Sequence, residues 1–140
     1  MTVLIDTNVI LDFILGREPH RASADKIFEM IQQDELDAAT TASCITDIYY
    51  VTVKHQGEDR ARRAIRDLLD VFTIIDVNGD DCSLAMDLPI ADFEDALVVI
   101  CSYKVKIDYI VSNDKEFLQV DRQLAQVISA DSFIQGKESL

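Results

Sequence analysis

Acids stand in this chain at places where chemistry could gather. Asp6, Thr7 and Asn8 follow a short apolar run, 2–5, and Ser112, Asn113 and Asp114 follow another, 109–111. Asp92, Glu94 and Asp95 open a helical pattern that leads toward the second run, while Asp47 lies within a third pattern between Ile45 and Ile48. No Lys, His or nucleophilic Ser occupies a comparable place. Carboxylates converging on one cleft would repel one another and raise some of their pKa values. A divalent cation removes that penalty, and all-oxygen ligation without His or Cys suits Mg2+ or Mn2+. Such ions polarise phosphoryl oxygens, lower the pKa of a bound water and steady a leaving oxygen.

Most of these acids also have a plain structural reading. Asp6, Asp92 and Asp114 each precede a helix and could be N-caps. Asp92 and Asp95 have capping-box spacing, with a carboxylate in the third helical position. Asp47 fits that reading poorly, because an unpaired acid amid apolar helix residues is costly if buried. It needs an outward-facing side chain or a basic partner.

The elements that must position these groups alternate. A continuous apolar strand over Thr2–Ile5 gives way to a helix with Val9, Ile10, Phe13 and Ile14 on one side, closed by Gly16. A second helix carries Ala24, Ile27, Phe28 and Ile31. A small strand near Ala38–Thr41 precedes a third helix with Cys44, Ile48 and Val51. The fourth has an apolar stripe of Ala61, Ala64, Ile65 and Leu68. Its Arg60, Arg62, Arg63 and Arg66 read as a solvated face paired to Glu58, Asp59 and Asp67. A strand over Val71–Val77, a short helix over Cys82–Leu88 and a long helix from Asp92 to about Val105 follow. Strand Tyr109–Val111, a turn with Phe117 and Leu118, and a final strand Val127–Ile128 complete the pattern. Alternating strands and helices argue for one α/β domain over 1–140, a parallel sheet with helices on both faces. In such sheets ligands collect beyond the carboxyl ends of the strands, where these acids stand.

The 140 residues include 26 acids and 13 Lys plus Arg, a formal net charge of −13. A surface that binds polyanions should be basic. The charge is compatible with nucleic acid if cations bridge carboxylates to phosphates or if basic patches are local; otherwise it is a solubilising surface. Three widely spaced cysteines without a CxxC pair, and two histidines, make a disulfide framework or a zinc site a poor fit. Cys44 and Cys101 fall in apolar helical patterns, where a buried, reduced thiol is usual, so the expected location is the cytoplasm; no apolar run is long enough to span a bilayer, and no membrane partner is expected.

At the acids a resemblance becomes specific. Residues 3–12 (Val-Leu-Ile-Asp-Thr-Asn-Val-Ile-Leu-Asp) resemble the first motif of PIN-domain nucleases. Residues 46–50 (Thr-Asp-Ile-Tyr-Tyr) resemble the second acidic motif, in the subfamily with Asp where many relatives have Glu. Residues 92–97 (Asp-Phe-Glu-Asp-Ala-Leu) are similar to the third and residues 108–117 to the fourth. The resemblance implies a three-layer α/β/α fold with a five-stranded parallel sheet. It also implies a Mg2+- or Mn2+-dependent endoribonuclease acting on RNA, often the toxin of a VapC-like toxin–antitoxin pair with a cognate antitoxin protein as partner. Carried over, Asp6, Asp47 and Asp95 are the metal ligands and Asp114 a second-tier one, because relatives vary between Asp and Asn there. Asn8, Glu94 and Ser112 orient ligands or waters. Asp76 and Asp131 match no motif and read as surface acids.

Other acidic-pocket families fit less well. A haloacid-dehalogenase phosphatase needs a second Asp where Asn8 stands. A receiver domain needs an acid and a lysine at strand ends that lack them here. The alternatives left are a non-catalytic PIN-fold binding module and a housekeeping nuclease. Finally, the third helix carries Ile45, Ile48, Tyr49, Tyr50, Val51 and Val53, more apolar surface than one stripe can bury, which predicts a homodimer.

Overall fold

Val3, Leu4 and Ile5 are fully buried, as a strand paired on both sides and covered on both faces requires. They belong to β1 (Thr2–Ile5), the middle strand of five in a computed structural model that describes residues 1–138. The chain continues through α1 (Thr7–Leu15), α2 (Arg21–Gln32), β2 (Asp37–Thr41), α3 (Ala42–Gln56), α4 (Glu58–Val71) and β3 (Thr73–Ile75). It then forms α5 (Gly79–Met86), α6 (Phe93–Ser102), β4 (Tyr109–Val111), a 3-10 turn (Phe117–Gln119), β5 (Val127–Ile128) and α7 (Ala130–Glu138).

All strand pairs are parallel, in the order β3-β2-β1-β4-β5. The chain builds outward from β1 on one side, then crosses to β4 and β5 on the other. The strand order therefore reverses beside β1, and the crevice at the carboxyl ends of β1 and β4 is where this topology offers a binding site. The sheet and its helices form the expected three-layer α/β/α fold, with a core that includes Ile10, Ile27, Ile48, Val99, Ile110 and Phe117.

Local differences from the sequence expectation have local causes. Gly16 closes α1 in the left-handed region (φ 65°), its amide donating to Asp12 O, a conformation glycine reaches without strain. α4 runs on to Val71, so β3 is shorter than the expected 71–77. α5 starts earlier, at Gly79, because Asn78 and Asp81 form a reciprocal capping box. α6 stops at Ser102 rather than near Val105. The Tyr103 and Lys104 amides turn to the carbonyls three residues back, at 3.1 Å each, the tightened ending that satisfies orphan groups. α7 was not anticipated. Its Phe133 and Ile134 are buried, and exposed Asp131 accepts a hydrogen bond from Ser23 Oγ on α2.

The arginine face of α4 is solvent-exposed, as read, but the pairing is sparse. Arg62 meets Glu58 at 2.9 Å and lies 5.9 Å from the Tyr49 ring centroid. The surplus apolar surface expected on α3 is largely spent inside the chain. Ile48 is fully buried, Ile45, Tyr49, Val51 and Val53 are half-buried, and Tyr50 alone of the set is exposed.

Candidate metal centre

Register brings the first acid to the fourth motif. Ile5 pairs with Val111, and the Asp6 amide donates to Val111 O at 3.0 Å. Asp6 therefore leaves the sheet beside Ser112. Its Oδ1 accepts from the Thr7 amide at 2.9 Å, and its Oδ2 accepts from Ser112 Oγ at 2.8 Å and Asn8 Nδ2 at 3.1 Å. Ser112 Oγ in turn accepts from Asn8 Nδ2 and from the Asp114 amide, each at 3.1 Å. Asn8 and Ser112 thus both donate to the same oxygen of Asp6. Burial pushes the Asp6 carboxyl above its ordinary range despite these donors.

Asp92 caps α6, accepting from the Asp95 amide at 3.0 Å. The reciprocal bond of a capping box is not formed by Asp95. Its buried carboxyl is pushed up to about 7, first by burial and then by the charges of Asp92, Asp6 and Asp114. Glu94 rises to about 8, chiefly through a hydrogen bond with the Asp47 carboxyl, with burial and further repulsion adding to it. Among the described residues half-buried Asp47 has found no base; its partner is another acid.

Asp6, Asp47, Asp92, Glu94, Asp95 and Asp114 share the wall of one open cleft of about 460 Å3. The four predicted ligands are brought together, with Glu94 beside them. A larger cavity of about 610 Å3 lies elsewhere, lined by Phe13, Phe28, Arg60 and Arg63, and contains none of these acids. Among the described residues, no three acidic, His or Cys side chains form a ready-made ligand shell. The donor chemistry nonetheless fits a hard divalent cation: the donors are all oxygens, and the Glu94 and Asp95 carboxyls are pushed up by burial and by neighbouring acids, a penalty a cation would relieve.

A match to the PIN-domain family model covers residues 2–116. The chain belongs to the PIN-domain family. No curated protein matches it in sequence. Solved structures share the PIN fold at low identity. A VapBC2 complex from Rickettsia felis, bound to a DNA fragment from its promoter, aligns with TM-score 0.67 and 16% identity over 92% of this chain and 98% of that one. A toxin–antitoxin complex from Klebsiella pneumoniae gives 0.67 and 19% over 91% and 97%. VapC20 of Mycobacterium tuberculosis, a Sarcin-Ricin loop cleaving toxin, gives 0.66 and 16% over 82% and 92%.

Around the PIN acids stands a network of residues, of which Arg17 and Ala130 lie outside the acidic motifs. Arg17 Nε donates to buried Asp12 Oδ1 at 2.9 Å, and its Nη2 donates to Asn8 O at 3.1 Å. The Asn113 amide donates to Asn8 Oδ1 at 2.9 Å, and Asn113 Oδ1 accepts from the Ala130 amide at 3.1 Å. The available signal was Asp12 itself, one turn beyond Asn8 on an otherwise apolar helix and therefore in need of a cation.

Proposed function

We propose that this chain is a divalent-metal-dependent endoribonuclease, the toxin half of a toxin–antitoxin pair. The observation that carries the reading is a cleft at the switch point of the sheet where six acids meet and the carboxyls of Glu94 and Asp95 are held near neutrality. Family membership supports nuclease chemistry, and the VapC-type neighbours support the toxin assignment. Asp6, Asp47 and Asp95, with Asp114 as a second-tier ligand, are the residues that would hold Mg2+ or Mn2+. When bound, the cation supplies a Lewis acid that polarises a phosphoryl oxygen and eases ionisation of water. Ser112 and Asn8 fix the Asp6 carboxylate so that a set direction is presented to the ion. Glu94, beside Asp47 in the cleft, would orient a ligand or water there.

The test is cleavage of single-stranded RNA with Mn2+ or Mg2+. Internal cuts leaving 5′-phosphate and 3′-hydroxyl ends are expected, abolished by EDTA and by Asp6→Asn. Cutting that survives both defeats the mechanism. The non-catalytic alternative draws on the lack of a ready ligand shell among the described residues. It predicts RNA binding without cuts under any metal.

An antitoxin would inhibit by placing a basic side chain among these carboxylates, where an Arg fork can bind two of them. Self-association is proposed through exposed Leu84, Met86 and Phe93 on α5 and α6. Light scattering of the chain alone and co-expressed with the product of the adjacent reading frame reads both. A lone monomer that captures nothing removes them. The cytoplasm is proposed as its location on three free cysteines, Cys44, Cys82 and Cys101. No helix among the described residues is long and apolar enough to cross a membrane.

A further inference from the structure

Two side chains on the cleft wall are not explained by holding a metal. Tyr50 follows Asp47 by three residues on α3, so the two share a helix face. It lines the cleft and is 67% exposed. Its ring meets Tyr49 edge-on, with centroids 5.2 Å apart and planes at 75°, a contact that limits its swing without covering it. Arg17 is the one cation lining the cleft among the described residues. Its bonds to Asp12 and Asn8 use two of the five N–H donors of a guanidinium, leaving three free on a side chain 41% exposed.

The chemistry of these two groups is complementary to a nucleotide. A planar guanidinium held at a fixed angle suits a phosphate. An exposed aromatic ring offers a stacking platform to any base whose face is free. The surrounding acids repel a polyanion, so a strand entering here needs anchoring contacts besides the metal. Bases inside a duplex are already stacked and offer Tyr50 no face.

We infer that Arg17 and Tyr50 form a one-nucleotide docking site at the mouth of the cleft, Arg17 holding a backbone phosphate and Tyr50 stacking on an unpaired base. The chain accordingly selects RNA in which a nucleotide flanking the cut phosphate is unpaired. This inference rests on the nuclease reading above.

The experiment uses the full chain and a short fluorescent oligoribonucleotide. Cleavage is followed in Mn2+ and binding by anisotropy in Ca2+. Tyr50→Ala should raise KM about tenfold with kcat nearly unchanged, in keeping with the loss of one base–aromatic stack, and Tyr50→Phe should restore it. In a scan of abasic substitutions, one position should cost the wild type about tenfold in KM and cost Tyr50→Ala almost nothing. Arg17→Lys keeps a charge beside Asp12 but removes the planar fork. It should raise KM about fivefold, measured below the variant's own melting transition because the bonds to Asp12 and Asn8 are weakened as well. Cleavage with no Tyr50 effect and no coupled abasic position overturns the inference and leaves the nuclease reading intact. An unchanged KM in Arg17→Lys makes Arg17 only the partner of Asp12 and overturns its half. Tyr50-dependent binding without cleavage overturns the nuclease reading and keeps the docking site. Absence of both cleavage and binding overturns the two together.

Discussion

Helices α5 and α6 begin alike, with a polar cap (Asn78, Asp92) and an aspartate three residues on (Asp81, Asp95) whose backbone amide the cap accepts at 3.0 Å. Both aspartates are buried, at 5% and 7% exposure, yet their carboxyls shift in opposite directions. Asp81 reaches back to the Asn78 amide at 3.0 Å and receives Lys104 Nζ at 2.8 Å. That ammonium holds its carboxyl below the usual range, and the backbone bond adds to the effect. Asp95 has neither contact to offset its burial, and burial followed by the charges of Asp92, Asp6 and Asp114 pushes its carboxyl up to about 7. Burial alone does not decide whether a carboxyl is comfortable in its charged form. The groups within its reach decide whether that burial is offset, as at Asp81, or reinforced, as at Asp95. At α5 the acid completes a structural joint, whereas at α6 the same local pattern leaves a buried carboxyl that no base neutralises among the described residues.

Exchanging the two acids for amides should separate these roles. Asp95→Asn should cut RNA cleavage by more than the ~100-fold that loss of an outer partner of a metal ligand can cost, while leaving the metal-free melting temperature equal or higher. Asp81→Asn should do the reverse: a lower melting temperature, because Lys104 and the capping box lose their carboxylate, with cleavage per folded molecule unchanged. Thermal melts beside single-turnover assays check both. Equal effects of the two substitutions on activity would erase the contrast.

A smaller effect follows from titration. Glu94 and Asp95 are raised from about 4.5 and 3.8 to about 8 and 7, so between these limits the folded chain binds more protons than the unfolded one. Metal-free stability should therefore decline as pH rises from about 4 to about 8. Mn2+ should flatten the decline, since it favours the ionised carboxylates. Asp95→Asn should shrink it, whereas the lowered Asp81 contributes an opposite slope at acid pH. Melting temperature against pH, with and without metal, reads this directly. A flat metal-free profile would mean the acids are solvated individually rather than gathered.

How far the sequence carried can be argued from the same residues. Asp6 and Asp114 were legible because each follows an apolar run that becomes a strand, and parallel strands deliver their carboxyl ends to one edge. Asp47 stood out as an acid where helix periodicity expects none. The pairing that separates Asp81 from Asp95 was not legible. Lys104 lies 23 residues from Asp81 in the chain, and its position follows from where α6 ends. Likewise Asp47 and Glu94 meet only because α3 and the start of α6 share the cleft. α7 is hard to see in the sequence because its apolar stripe, Ala130, Phe133 and Ile134, is confined to a single turn and is followed by Gln135 and Gly136.

The amide of Asp6, bonded to Val111 O, extends the contact between the middle strand and β4. Isotope exchange at that amide requires these two strands to part, an opening near the global scale. The first turn of α6 is held by its Asp92 cap and carries exposed Phe93 and Glu94, so its opening is expected to cost less than parting the strands. A cation gripping Asp6 and Asp95 would join a slow-exchanging part of the molecule to a fast one, and its residence time would be set by the helix end.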